Sequence, residues 1–130
     1  MTSSTHRFSV LSGRWTILRL PADAPVPPWA WLLHEFISIT RTPDELSIVC
    51  PEDAAPPGGR AEAGWAVLKI EGPFPFEHVG VLASFTTPLA AAGISLFAIS
   101  TFDTDYVLIK ADQLSAATHA LVVAGHTFLA

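Results

Sequence analysis

Six consecutive residues, Ser100, Thr101, Phe102, Asp103, Thr104 and Asp105, bring two carboxylates and three hydroxyls together. Carboxylates complement an amino group or a cationic side chain, and hydroxyls bond neutral polar atoms. The same residue types also build ordinary turns. The residues alone therefore leave two readings open: a small-molecule site, or a solvated hairpin tip. No nucleophile–base pair or phosphate loop is legible elsewhere. His6, His34, His78, His119 and His126 do not have metal-ligand spacing, and His119 and His126, astride a helix end, are expected at the surface. The chain reads as a binding protein with no catalytic residue, metal or cofactor.

The elements around this cluster are strands. Leu96 to Thr101 alternates, and Tyr106-Val107-Leu108-Ile109 is a β-rich run. A fainter copy lies sixty positions upstream, where Phe36-Ile37-Ser38-Ile39-Thr40 falls on Leu96 to Ser100 and Glu45 to Val49 falls on Asp105 to Ile109. At this offset Glu45 matches Asp105, as a ligand contact or a solvated strand start. Trp15 to Leu20 likewise matches Trp65 to Ile70, at an offset of fifty. Internal repeats of this kind predict two related halves, divided as residues 7–60 and 61–130.

In chain order, residues 1–6 read as a loose tail. Arg7 to Leu11 and Trp15 to Leu20 read as a hairpin turning at Ser12-Gly13. Pro28 suits the first turn of a short helix through Trp29 to Leu33. Strands follow at Glu35 to Thr40 and Glu45 to Cys50. Pro51 to Gly64 reads as a surface connection, and Trp65 to Ile70 as a strand. Leu82, Phe85 and Leu89 give the segment Glu77 to Ala92 one apolar helical face, with Pro88 kinking or dividing it and Gly93 ending it. Asp112 is placed as the N-cap of a second helix with Leu114, Ala117, Leu121 and Val122 inward and Gly125 at its end. His126 to Leu129 closes as a strand. The later half thus has the ferredoxin-like order, strand–helix–strand–strand–helix–strand. The earlier half lacks the second helix and closing strand, and Arg7 to Leu11, beside Trp15 to Leu20, is expected to substitute for the missing strand.

Composition limits the partners. A formal net charge of -5 with scattered Lys and Arg argues against nucleic acid. The longest apolar stretch, Val79 to Ile99, is broken by Pro88 and Gly93 and is not a spanning helix. The start MTSSTHR has no apolar core, and the single Cys50, expected as a small buried hydrophobe, cannot form an internal disulfide. Both fit a cytoplasmic location. Trp15, Trp29, Trp31 and Trp65 are expected in packing.

The segments ISTFDTDYVLI, GPFPFEHVGVLA and RTPDELSIVC resemble the ACT domain, a regulatory amino-acid-binding module. More narrowly, they resemble small tandem ACT proteins of bacteria related to the CASTOR arginine sensors of animals. Glu77-His78 departs from the small polar residues common before the helix in that group. The resemblance implies an α+β fold of two ACT-like units, the first abbreviated with a short helix and no second helix. It implies an amino acid bound near Gly80 and Val81, facing Ser100, Thr101, Phe102, Asp103, Thr104 and Asp105, between ACT units or between the chains of a homodimer. The other reading is an interaction module that pairs through its sheet edges and binds no ligand.

Overall fold

A computed structural model describes residues 5–55 and 60–130. The first part of the expected tail and the middle of the expected loop, residues 1–4 and 56–59, lie outside the described residues. Two compact units are present: Gly13–Trp65, and Ala66–Ala130 together with the chain up to Ser12. The strands are β1 (Arg7–Val10), β2 (Trp15–Leu20), β3 (Ser38–Arg41), β4 (Leu46–Pro51), β5 (Arg60–Ile70), β6 (Leu96–Ser100), β7 (Asp105–Lys110) and β8 (Thr127–Phe128). The helices are α1 (Val81–Ala91) and α2 (Leu114–Val123).

The C-terminal unit follows the expected order β5-α1-β6-β7-α2-β8. Its strands pair as β6-β7-β5-β1-β8. The closing strand β8 does not lie beside β5. Strand β1 separates them, antiparallel to β5 (Phe8 opposite Ile70) and parallel to β8 (Phe8 opposite Phe128). This corrects the expected hairpin and the expected substitution in the N-terminal unit. Both β1 and β2 run antiparallel to β5, so the chain does not reverse at Ser12-Gly13. Burial explains the choice. Phe8 is fully buried, edge-on to Phe85 at 5.8 Å and tilted against Phe128 at 5.4 Å, a set of contacts its own core supplies.

That core joins Phe8, Leu68, Ile70, Val107 and Ile109 of the sheet to Val81, Phe85 and Leu89 of α1 and Ala117 and Leu121 of α2. Helix α1 starts four residues later than the sequence indicates, at Val81, after the N-cap Gly80, whose φ of 82° is left-handed. It is not divided at Pro88, which lies inside it. Both helices end in a Schellman motif. After α2, Gly125 (φ 108°) donates to Val122 O and His126 N donates to Leu121 O at 3.0 Å. Gly93 and Ile94 do the same after α1. Asp112 does not cap α2; it sits in a 3-10 turn, and no side chain caps that helix. Val122 is exposed rather than inward.

The N-terminal unit pairs as β3-β4-β2-β5 through residues Arg60 to Trp65 of β5. Strand β5 therefore begins five residues before the predicted Trp65. Ala61 to Gly64 have weak strand propensity, and pairing with β2 overrides it. Between β2 and β3 a 3-10 helix, Pro28–Leu32, replaces the expected short helix, with Pro28 at its start. Leu18, Leu46, Ile48 and Cys50 form the core of this unit. Trp15 is buried and donates to Phe36 O at 2.9 Å, but Trp31 is 66% exposed rather than packed inward. The Cys50 thiol is pushed up to about 11, by burial first and by Asp53 second.

The repeat is real, but its hairpin offset is fifty-nine. Arg41 pairs with Leu46 and Ser100 with Asp105, each as the last rung before a four-residue loop. Each loop closes alike, Thr42 N–H to Glu45 O at 2.9 Å and Thr101 N–H to Thr104 O at 2.8 Å. Ile48 and Cys50 then coincide with Val107 and Ile109, all facing their cores. The offset of sixty would put Ile48 on Leu108 and turn every side chain to the wrong face. Glu45 therefore corresponds to Thr104, and the counterpart of Asp105 is the buried Leu46.

Candidate functional site

The tip of the β6–β7 hairpin, the segment 71–80 after β5, and the start of α1 surround one cleft. Three contacts hold the tip against that segment and the end of β5. Thr104 is buried and its Oγ1 donates to Ile70 O at 2.6 Å. Phe74 N–H donates to Asp103 O at 2.8 Å. Gly72 lies so close that a Cβ there would stand 2.9 Å from Asp103 O and 3.1 Å from Thr104 Cβ. Only glycine lets the two backbones approach this closely.

The cleft has a volume of about 230 Å³. Val81, Ser100, Thr101, Phe102, Asp103, Thr104 and Asp105 line it, seven of the eight residues that the sequence indicates. The eighth, Gly80, is not a lining residue; it is the N-cap of α1 beside Val81. Phe74, Pro75, Phe76 and His78 also line the cleft, beyond the residues that the sequence indicates. Their signal was present in GPFPFEH, where apolar rings stand next to two prolines in a loop that has no apolar period of its own.

The polar groups differ in what they have free. Ser100 Oγ donates to Asp105 Oδ1, so one carboxylate oxygen of Asp105 is engaged. Thr101 Oγ1 donates to Thr104 O at 3.1 Å. Among the described residues, no hydrogen bond or ion pair engages the exposed carboxylate of Asp103. At the other side, α1 begins without a side-chain cap and without an acidic residue in its first turn. Its first N–H groups and its positive dipole end favour an anion. Phe76 and Phe102, 4.8 Å apart edge to face, stand exposed at the mouth. No Lys or Arg lines the cleft. Among the described residues no cluster of three His, Cys, Asp or Glu side chains could hold a metal.

A histidine group backs the cleft. The ring of His6 lies 5.1 Å from Phe74, 6.4 Å from His78 and 6.1 Å from His126. Burial, then the neighbouring His126 and His78, holds the His6 ring below the usual histidine range. His126, expected at the surface, is 3% exposed and stacks on Phe85 at 4.0 Å. It accepts His6 N–H on Nδ1 at 3.0 Å and reaches Ser84 O with Nε2 at 2.8 Å. A carbonyl only accepts, so this pattern fits the neutral ring with its hydrogen on Nε2. Exposed His119 sits where the sequence indicates.

Comparison with known proteins fits this architecture. The ACT domain family model matches residues 60–122, and a model for an N-terminal domain matches residues 13–57. The cytosolic arginine sensor for mTORC1 subunit 1 of Bos taurus is 32% identical over 98 residues, covering 67% of this chain and 30% of the relative. The chain thus spans about 30% of the length of that curated relative. Protein Atu0741 of Agrobacterium tumefaciens, known from its crystal structure, is 40% identical, with a TM-score of 0.91 over 98% of this chain and 94% of its own. The regulatory subunit of aspartate kinase from Thermus thermophilus, at 18% identity, shares the fold, with a TM-score of 0.60 over 86% of this chain and 91% of its own. The chain belongs to the ACT-domain family, with two ACT-like units, and is related to the CASTOR-type arginine sensors.

Proposed function

We propose that this protein is a non-catalytic regulatory protein that binds a free amino acid in the cleft of its C-terminal unit. One observation carries the reading: an uncapped helix start and an unengaged carboxylate, Asp103, border the same small cleft. The α-carboxylate of an amino acid suits the N–H groups at Val81. Its ammonium group suits Asp103 and the free oxygen of Asp105. Ser100, Thr101 and Thr104 frame these contacts, Gly80 sets the path of the chain into α1, and Phe74, Phe76 and Phe102 give the side chain an apolar wall. The relatives' description as arginine sensors supports an amino acid as the ligand class. A homodimer in the cytoplasm is the proposed setting.

Thermal unfolding against each of the twenty amino acids tests this. A ligand that binds only the folded protein raises the midpoint by mass action. The expected outcome is a rise with one amino acid or one class of them, lost in Asp103→Asn. A midpoint that no amino acid moves at millimolar concentration would sink the proposal and leave the ligand-free interaction module in its place.

A further inference from the structure

The repeat gives the N-terminal unit a counterpart of the cleft's position, and there the exposed side chain of Arg41 bonds main-chain oxygens of its own unit. Arg41 holds the register position of Ser100. Ala22 and Ala24, in the segment after β2, stand where Gly72 and Phe74 stand after β5, at the offset of fifty that aligns Leu18 and Leu20 with Leu68 and Ile70. In the C-terminal unit, Ser100 and Phe74 line open space. In the N-terminal unit the Arg41 guanidinium spans the equivalent place. One Nη donates to Ala22 O, and the other donates to Ala24 O at 2.7 Å.

The chemistry of that wall fits a guanidinium. Pro21, Pro25, Pro27 and Pro28 surround the two alanines. Each proline adds a carbonyl without an N–H, so the segment carries more acceptors than donors. Two carbonyls two residues apart suit the planar fork of Arg, whereas the compact ammonium of Lys is a point charge. Arg41 also lacks a carboxylate partner in its hydrogen bonds; it is held by main-chain oxygens.

We propose that the N-terminal unit contains a guanidinium-accepting site whose occupant is the chain's own Arg41, so that this site is closed to solutes in the native protein. One consequence rests on the function proposed above: each chain takes one ligand, in the C-terminal unit, although the fold repeats. The guanidinium contact itself does not depend on that function.

The test removes the occupant and offers a free one. Arg41→Ser installs the residue found at the counterpart position. Both the variant and the protein with Arg41 in place also carry Asp103→Asn, which weakens any response from the C-terminal cleft. Thermal unfolding is followed in low-millimolar methylguanidinium, with methylammonium as the control cation. The expected result is a midpoint rise in the Arg41→Ser protein, about 4 °C at ten times the dissociation constant for a chain of this size. Methylammonium gives no such rise, and methylguanidinium gives none when Arg41 is present. An equal response with and without Arg41, or no response in the variant, would overturn the proposal. Should Arg41→Ser fail to fold, the native protein still decides. Nitrogen-15 spectra are expected to show slowed rotation of the Arg41 guanidinium relative to that of the exposed Arg7, and free rotation would overturn the proposal. Neither measurement uses an amino acid ligand, so failure here and failure of amino-acid binding are separate results.

Discussion

Pro88 and His126 form a pair that neither residue type announces. Inside a helix, proline removes the N–H that would bond the carbonyl four residues earlier, here Ser84 O. His126 Nε2 lies 2.8 Å from that oxygen. The imidazole thus serves the carbonyl that Pro88 leaves without a helical partner, and α1 runs through Pro88 undivided. His126→Ala is expected to cost about 2–4 kcal/mol, as a buried ring is lost and a carbonyl is orphaned. Pro88→Ala restores the helical donor, so the same histidine change in that background is expected to cost about 1 kcal/mol less. Urea unfolding of the four proteins measures the coupling, and strict additivity would contradict the pairing. The neighbouring His6 sets a pH dependence. Its folded-state affinity for protons is lowered by burial, then by His126 and His78. The native protein then binds fewer protons than the unfolded chain below the ordinary histidine range. Its contribution is fully present above about pH 6.5 and is lost as pH falls through the lowered folded value, with a slope of at most about 1.4 kcal/mol per pH unit for one proton. Unfolding free energies measured from pH 7.5 to pH 5 are expected to fall less steeply in His6→Asn than in the native protein.

The elements were legible where one side chain period dominated. Strands β2, β4, β6 and β7 follow apolar alternation or β-rich runs, and α1 follows its three-and-four spacing. Hairpin tips were legible as well, because Asp, Thr and Pro mark them. The exact pairing of the repeat was not. Apolar residues fill consecutive positions in Ile48 to Cys50 and in Val107 to Ile109, so a shift of one residue leaves the match nearly unchanged in sequence. Only the rungs Arg41–Leu46 and Ser100–Asp105 fix it. The cleft shows the same division. The polar half, on the hairpin, was found from residue types. The aromatic half, Phe74, Phe76 and His78, lies in a segment whose shape comes from tertiary contacts with the hairpin. Gly72 is where those two halves meet. A Cβ there would press on Asp103 O at 2.9 Å, a main-chain atom that cannot swing aside. Gly72→Ala is therefore expected to lower stability by about 1–3 kcal/mol and to weaken ligand binding more than Gly64→Ala, which strains a left-handed φ of 82° but lies outside the cleft lining and whose Cβ would meet nothing within 4 Å. If the two changes affect the ligand equally, the close approach is not what shapes the cleft.

At the scale of the whole chain, the order of the sequence and the order of the folded units differ. The chain lays down β1, builds the unit Gly13–Trp65, and only then supplies the rest of the unit to which β1 belongs. Nothing local in Arg7 to Val10 could disclose this, since its four residues fit beside any strand with a free edge. The partners that decide its place, Leu68 to Ile70 and Thr127-Phe128, are far along the chain. The long separation makes β1 a lever on the site. Its neighbour His6 carries the N–H that His126 accepts, and His6 also touches Phe74 at the wall of the cleft. Phe8→Ala is expected to cost about 3–5 kcal/mol, the range for emptying a fully buried aromatic position. The loss belongs to the C-terminal unit. Amide hydrogen exchange is therefore expected to show lost protection in Leu68 to Ile70, in α1 and in β8, with β3 and β4 retaining more of theirs. A hairpin of β1 with β2 would predict the reverse, with the N-terminal unit opening first. The same variant reaches the ligand by linkage. If the cleft is formed only when the C-terminal unit is folded, the amino acid that raises the native midpoint must also raise that of the Phe8→Ala protein, and at saturating ligand it must restore protection to α1 and β8 together. Stabilisation that left β8 unprotected would separate the cleft from the unit that β1 completes.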